Sequence, residues 1–588
     1  MSLLGAFEIG RSGLTAGQLG TQVTGNNIAN LSTPGYSRQT LDLTAVRDAR
    51  YGNALYGRGV QLAGVRRSVD QALQARLNTA IASESGANQT SLLLGNVENT
   101  VANLQGANVS TQLNVFFNAW SQLSQFPAQA TSRTAVVQQG QALASFLHST
   151  RSSLVGLQQQ IDTDLGANVT QANDLLGQIA TLNQQISISE GGNGQANNLR
   201  DQRDHLVSQL SQYINVNTVE QPSGTLDVLI GSVPLVINGQ SRGLRLVQQS
   251  VQTATGTTSR VAVSTIVTPE ELRIDPNGGA IGSLLANRGT LVGDTLDRLD
   301  RVSAQLIDQV NRAYSVGYSG TRQPSYTGSL SIQSSDRSLA INDTANQTFS
   351  TLPFAPQSGS FLVTVTDSTG VSRTTRIAVD LDGVDNTGAP GTANDTTTDG
   401  IATALNAVTG LTATYNASGQ LVIAAGSGST VSFAEDTSGV LATLGVNTYF
   451  TGTSAASIAV RDEIVAQPNL LNVGQVVSGN PVDNAVAMAI GGVGGVSERR
   501  LGALDDSTIS QYWDSAVQAV GVRSAASQTT ANATKTVRES IEAQRTAIAG
   551  VSTDEEAINL IGYQRLYEAS ARFVSVVNDM TKTLLQLV

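Results

Sequence analysis

The stretch from Ser552 to Val588 constrains the fold more than any other part of the chain. It opens on Ser-Thr-Asp-Glu-Glu, where Ser552 or Thr553 can cap a helix and Asp554, Glu555 and Glu556 sit at its positive end. Tyr563, Leu566, Ser570, Phe573, Val577, Met580, Leu584 and Leu587 then recur at alternating spacings of three and four, with no Pro and no Gly after Gly562. The spacing predicts a helix of roughly 34 residues, about 50 Å long, which is too long for one stripe to bury against itself. The seam needs another helix, from this chain or from a neighbouring copy.

Residues 3 to 30 offer that helix. Apolar and small residues recur there at Leu3, Phe7, Gly10, Leu14, Gly17, Leu19, Val23 and Ile28. Each glycine costs a helix about 1 kcal/mol relative to Ala, yet lets another helix come close. The pattern predicts paired terminal helices with everything else inserted between them.

Two motifs make the reading specific. NNIANLSTPGYSRQ (Asn26 to Gln39) resembles the N-terminal signature shared by bacterial flagellar rod, hook and hook-associated proteins. GVSTDEEAINLIGYQRLYEASARFVSVVNDMTKTLLQL (Gly550 to Leu587) resembles the C-terminal signature of the hook-associated protein 1 family. Internal blocks of that family are matched by FFNAW (Phe116 to Trp120), QIATLNQQI (Gln178 to Ile186), ANNLRDQRDHLVSQLS (Ala196 to Ser211) and the segment Gly278 to Tyr314. Two departures stand out. Arg200 takes a place where an apolar residue is expected, and Tyr314 lies in the neighbourhood where the family usually has a His near the end of this helix, so no role transfers there.

The resemblance implies a structural subunit, without catalysis or cofactor, that forms a ring at the distal end of the flagellar hook and joins hook to filament. Its implied partners are copies of itself, the hook protein, the second hook–filament junction protein, and a cytoplasmic export chaperone on the C-terminal helix. It also implies an extracellular location reached by type III export without a cleaved signal. The expected assembly interface comprises Leu14, Val23, Ile28, Tyr563, Leu566, Phe573, Val577, Met580, Leu584 and Leu587. Asn27, Asn30, Pro34, Gly35 and Tyr36 are expected to set a turn and its polar contacts. Free terminal helices would be poorly ordered until docking supplies the missing partner.

Composition agrees with this class. The net charge of −11 and the 4% aromatic content argue against a general nucleic-acid-binding surface. Cysteine is absent, which excludes disulfides and thiolate metal sites. The apolar run Leu3 to Phe7 is too short for a secretory signal and lacks a basic flank, and no stretch approaches a membrane span.

Between the termini, Pro34 and Gly35 end the first helix, and Leu41 to Val65 reads as an extended or hairpin segment. Val69 to about Tyr213 is helical in pattern, with a break at Pro127 and a loop at Glu190 to Gly194. Strands are predicted at Thr225–Ile230, Leu235–Ile237, Arg260–Val267 and Leu272–Ile274, followed by helix to Tyr314. Gly317 to Phe450 reads as a ββαββ module: Phe361–Val365, Thr375–Val379, a helix at Ile401–Val408, then Leu411–Tyr415 and Leu421–Ile423. Helix returns at Ala485–Ile490, and after a Gly-rich joint (Gly491 to Gly495) at Ser510–Ala549.

The expected fold is therefore an elongated, multidomain α+β axial protein. Residues 1–40 with 550–588 form the inner coiled-coil domain, and 41–215 with 480–549 a helical bundle. Residues 216–320 form an intermediate domain and 321–479 a β-rich outer module. Outer insertions of this kind are tolerated on a surface.

Few residues invite chemistry. His148 and His205 lack a partner His at i+4, so no zinc-protease motif exists. His205, amid Asp201, Arg203 and Asp204, reads as a solvated charged helix face. Asp380, Asp382 and Asp385 around Gly383 suggest a calcium loop, but the EF-hand order is wrong and its glutamate is missing, which favours a polar turn. Phe116, Phe117 and Trp120 read as core. The alternatives to the junction reading are another axial subunit of hook or rod type, and an adhesin or enzyme using the β module.

Overall fold

The computed structural model describes residues 3–51, 54–102, 108–191, 194–252, 259–320, 323–477, 480–494 and 502–586. Helix makes up about 56% and strand about 18%, placing the chain in the α+β class. Its first helix (Leu3–Ala29) and last helix (Thr553–Gln586) pack along each other. A hairpin of Gln39–Ala45 with Val60–Arg67 follows the first helix.

The spine of the body is one helix, Ala130–Glu190, of 61 residues and so about 90 Å long. Val136, Gly140, Leu143, Leu147, Thr150, Leu154, Gln158, Ile161, Leu165, Val169, Ala172, Leu176, Ile179, Asn183 and Ile186 are buried along it. Their steps of three and four keep them on one face. Helices Gln71–Ala102, Val109–Gln125, Asn197–Tyr213, Asp294–Ser315 and Ile509–Ala549 complete the bundle.

The core crosses two boundaries expected from the sequence. Residues 216–320 do not stand apart, because Val216, Val228, Leu235 and Ile266 share one continuous apolar core with the spine helix. Side chains of the spine also bind the backbone of this region: Asn183 Nδ2 donates to Leu226 O (2.8 Å) and Asn173 Nδ2 to Leu244 O (2.9 Å). The second boundary is at 479. Tyr449, Phe450, Val460, Ile464, Leu471 and Val473 pack into the helical core, and the separate core of the outer module runs only from Ile332 to Val446.

An aromatic cluster explains the second shift. Rings of Phe116, Trp120, Tyr314, Tyr449 and Phe450 meet at 4.7–6.3 Å between centroids. Tyr314 precedes the outer module and Tyr449 follows it, so the chain enters and leaves the module at one place. Three asparagines pin that place. Asn311 Oδ1 accepts from the N–H of Tyr449 (3.1 Å) and Phe450 (2.9 Å), Asn447 Nδ2 donates to Ser315 O (2.8 Å), and Asn472 Nδ2 donates to Tyr314 O (3.2 Å).

The module itself has two three-stranded antiparallel sheets. Gly359–Thr366 pairs with both Ser372–Val379 and Thr430–Ala434, with Val363 opposite Thr375 and Phe433. Gln420–Ala425 pairs with both Leu411–Tyr415 and Ser325–Ser331. The order ββαββ is present, with the helix at Thr398–Asn406. Each predicted pair gains a third strand, Ser325–Ser331 and Thr430–Ala434, neither of which was expected from the sequence.

Candidate assembly interface

The contact between the terminal helices is lined by glycine. Gly10, Gly13, Gly17 and Gly20 follow at steps of three, four and three, so they share one face of the first helix. A Cβ on Gly10 would meet Val574 and Phe573, on Gly13 Ser570, on Gly17 Tyr567, and on Gly20 the ring of Tyr563. The partner number falls as the glycine number rises, so the pair is antiparallel. At Gly17 the Cβ would lie 2.9 Å from the backbone N of Tyr567, which a rotamer change cannot relieve. The helix thus gives up propensity for an approach that no larger residue permits.

This close fit covers only part of the C-terminal helix. Among its described residues, just Glu556 and Val577 are buried. Of the expected seam, Tyr563 and Ser570 are half-buried beside them and face the glycines. Leu566, Phe573, Met580 and Leu584 remain 39–53% exposed, joined by Ile558, Ile561, Val576 and Leu585. One edge of the Phe573 ring lies beside Gly10, where it would crowd a Cβ at 3.0 Å. On the first helix Leu14 and Val23 are half-buried, whereas Ile28 is exposed; the buried positions are Gly10, Ala16, Gly17, Gly20, Thr24 and Asn27. Within the chain the first helix therefore covers only part of the seam, at Tyr563, Ser570 and Val577. Glycines bring the axes so near that one narrow stripe is covered and a second apolar stripe is left open. Leu587 lies outside the described residues.

The NNIANLSTPGYSRQ motif ties this pair to the body through a buried polar knot. Thr33-Pro34-Gly35-Tyr36 is a turn closed by Tyr36 N–H to Thr33 O (3.2 Å), with Gly35 at φ +80°. Pro at the second position and a left-handed Gly at the third are what a type II turn requires. Pro34 itself is exposed, and Gly35 lies against His205, which a Cβ would crowd at 2.9 Å. Asn30 Nδ2 donates to Asn26 O (2.9 Å) and its Oδ1 accepts from Thr33 (3.1 Å), closing the helix end.

Asn27 is the centre of the knot, 1% exposed. Its Oδ1 accepts from Tyr36 OH (2.8 Å) and Gln39 N–H (3.0 Å), while Nδ2 donates to Gln39 O (2.9 Å) and Glu556 Oε2 (2.9 Å). The other oxygen of Glu556 receives Arg38 Nε at 2.8 Å. Arg38 N–H also donates to Ala549 O (2.8 Å), just before the last helix. Burial, then the nearby Asp201 and Glu556 carboxylates, push the Tyr36 phenol up to about 12, so it stays a donor.

The knot continues into the body through Asp201, which accepts Ser37 N–H (3.2 Å) and the Arg67 guanidinium (2.9 Å). Burial raises the Asp201 carboxyl, against the pull of Arg67. Asp201 and Arg203 are buried, so the solvated charged face expected around His205 is not what forms. Arg203 donates to Gly224 O (2.7 Å) instead. Arg200 replaces an apolar contact with ion pairs to Glu190 (2.7 Å) and Glu220. Arg38, Gln39, Asp201 and Glu556 were absent from the expected interface. Glu556 was read as one of three acids favouring a helix start, a role that hides its buried position.

Three family descriptions match the chain. "Flagellar hook-associated protein FlgK helical domain" covers residues 94–326, "Flagella basal body rod protein" 7–36, and "Flagellar basal body rod FlgEFG protein C-terminal" 541–587. "Flagellar hook-associated protein 1" of Salmonella typhimurium (strain LT2) is 26% identical over 591 aligned positions, covering 98% of both chains. The chain belongs to the flagellar hook-associated protein 1 family. A second relative of that name, from Escherichia coli (strain K12), is 28% identical over 52% of this chain and 56% of its own. The family fold also appears in a solved structure, the flagellar hook junction protein FlgK from Burkholderia pseudomallei. It has a TM-score of 0.51 and 16% identity, and covers 81% of this chain and all of that one.

The two rod-type matches fall on the terminal helices and the knot, and the family-specific match on the spine, the sheets and the helix that follows them. No helix among the described residues is long and apolar enough to cross a membrane.

Proposed function

We propose that this chain is the structural subunit that assembles at the distal end of the flagellar hook and joins hook to filament. The observation that carries the reading is the half-covered C-terminal helix. It is fixed to the body by a buried polar knot, packed on glycines along one stripe, and open along another lined by Leu566, Phe573, Met580 and Leu584. A long amphipathic helix held in place with one apolar side uncovered suits repeated packing against copies in a tube. The terminal pair forms the inner wall, the helical body surrounds it, and the outer module sits farthest out.

The partners follow from the same stripe. Copies of the chain cover it in the ring, the hook protein lies below, and the second junction protein lies above. Before export, which proceeds without a cleaved signal, a cytoplasmic chaperone covers the stripe on the C-terminal helix. The full-length similarity to hook-associated protein 1 favours this reading over a hook or rod subunit, whose likeness extends only to the termini.

The test is electron microscopy of a deletion strain with flagellin assayed in the medium. Bare hooks and monomeric flagellin in the supernatant are expected; intact filaments overturn the reading. Complementation with Phe573→Asp is expected to leave the exported protein folded but absent from hook tips, since the Phe573 side chain is 42% exposed.

A further inference from the structure

The outer module contains a cluster that the function above does not use. Three carboxylates, those of Asp380, Asp382 and Asp395, place one oxygen each within 4.8 Å of one another. They lie at the two ends of the connection between strand Ser372–Val379 and helix Thr398–Asn406. Asp385, which the sequence groups with Asp380 and Asp382, is not part of it. Its Oδ1 accepts the N–H groups of Thr387 (2.8 Å) and Ala389 (3.0 Å) and forms a separate turn. Asp395, ten residues on, takes the third place.

Asp395 supplies the decisive observation. It is 4% exposed, and only one of its oxygens is engaged: Oδ2 accepts Gly383 N–H (3.1 Å) and Asn342 Nδ2 (2.5 Å). The other, Oδ1, is buried without any hydrogen-bond partner. A buried carboxylate oxygen left unpaired costs more than almost any other polar group. Two further carboxylates converge on the same residue, and no Arg or Lys among the described residues forms an ion pair with any of the three. Like charges gathered around an unsatisfied oxygen are unfavourable unless a cation sits among them.

The geometry points to a Ca2+ site formed by Asp380, Asp382 and Asp395. All ligands are hard carboxylate oxygens, and Ca2+ accepts an irregular shell completed by water, whereas Mg2+ demands near-ideal octahedral geometry. Asp380 and Asp382 are exposed, so water completes the shell. The backbone is already drawn together around the site: Thr396 N–H donates to Asp380 O (2.7 Å), and Gly391 N–H to Gly383 O (2.8 Å). Bound Ca2+ joins the two ends of the connection and, through Asn342, the segment before the module's first short helix. With three carboxylates the affinity falls on the order of 10⁻⁴–10⁻³ M, as in extracellular modules.

The test is isothermal titration of CaCl2 into the full chain after chelator treatment, with thermal melts in Ca2+ and in Mg2+. One saturable site and a raised melting midpoint in Ca2+ are expected. Asp395→Asn and Asp382→Asn should each weaken binding by at least about tenfold, while Asp385→Asn stays within about twofold. Asp382 is exposed and Asn keeps its acceptor for Val384 N–H, so that variant reports on binding even if Asp395→Asn unfolds the module. No binding by the unmodified chain, equal binding by Asp382→Asn, or an equal response to Mg2+ would overturn the assignment.

Discussion

Two long helices in this molecule have the same seam pattern and opposite fates. Ala130–Glu190 buries a stripe of Leu, Ile and Val from end to end, enclosed by other helices and a sheet. Thr553–Gln586 buries two side chains, one of them a glutamate. The first carries its partners within the chain. The second has only a glycine face to lie on, so much of its apolar surface is left for another molecule. Heptad spacing therefore identifies a helix that needs company, and burial identifies whether the company is internal.

Several experiments would break or sharpen that contrast. The largest effect is expected in the body. Trp120→Ala removes a fully buried ring from the five-membered aromatic cluster and should cost about 3–5 kcal/mol in urea unfolding followed by circular dichroism. A loss below about 1 kcal/mol would mean the body is not the self-sufficient partner in the comparison.

Next comes the joint. Glu556→Ala leaves Asn27 and Arg38 without their buried acceptor, a loss of about 1–3 kcal/mol. Hydrogen exchange should speed up across Thr553–Gln586 and the first helix while the body keeps its protection. Equal deprotection of both would show that the terminal pair and body unfold as one unit.

Gly17→Ala should loosen the pair without touching the knot, because the new methyl group meets the backbone of Tyr567. Its counterpart, Gly25→Ala, meets nothing within 4 Å and should stabilise the same helix by up to about 1 kcal/mol. Opposite signs in amide exchange of the first helix are expected. If both substitutions protect it, the close approach is not what the glycines serve.

The smallest effect on the isolated chain is expected at the open stripe. Met580→Asp replaces a side chain that is 53% exposed and should change stability by less than about 0.5 kcal/mol. Incorporation at hook tips, scored by microscopy, should nonetheless fail. Normal incorporation would remove the stripe from the assembly surface.

Much of this architecture was legible in the residues. Periodicity identified both terminal helices, the spine and the ββαββ order, because a stripe of large apolar residues is a local signal. The TPGY turn was equally readable, since Pro and Gly fix backbone angles by themselves. The polar knot was not. Nothing local distinguishes Glu556 from Glu555, although one is buried and the other is exposed; the difference is made by Asn27 and Arg38, more than 500 residues away. The glycine face was half readable: Gly10 and Gly17 suggested close approach, but the identity of the stripe they cover depends on how near the axes come. The division into domains suffered from the same cause. Asn311, Asn447 and Asn472 join segments that composition keeps apart, and no composition shift marks Tyr449 as belonging to the helical core.

That asparagine clamp has a consequence for how the module is attached. Asn447 Nδ2 reaches the carbonyls of both Ser315 and Gly317, so the two ends of the outer module are held within a few ångströms of each other. The module therefore leaves and rejoins the body as a closed loop. Beyond the clamp, the body touches the module at a few further points, where Arg312 donates to Ala355 O and Arg461 to Thr327 O and Gly445 O. The helical body is in this sense a socket, and the module is plugged into it through one narrow mouth.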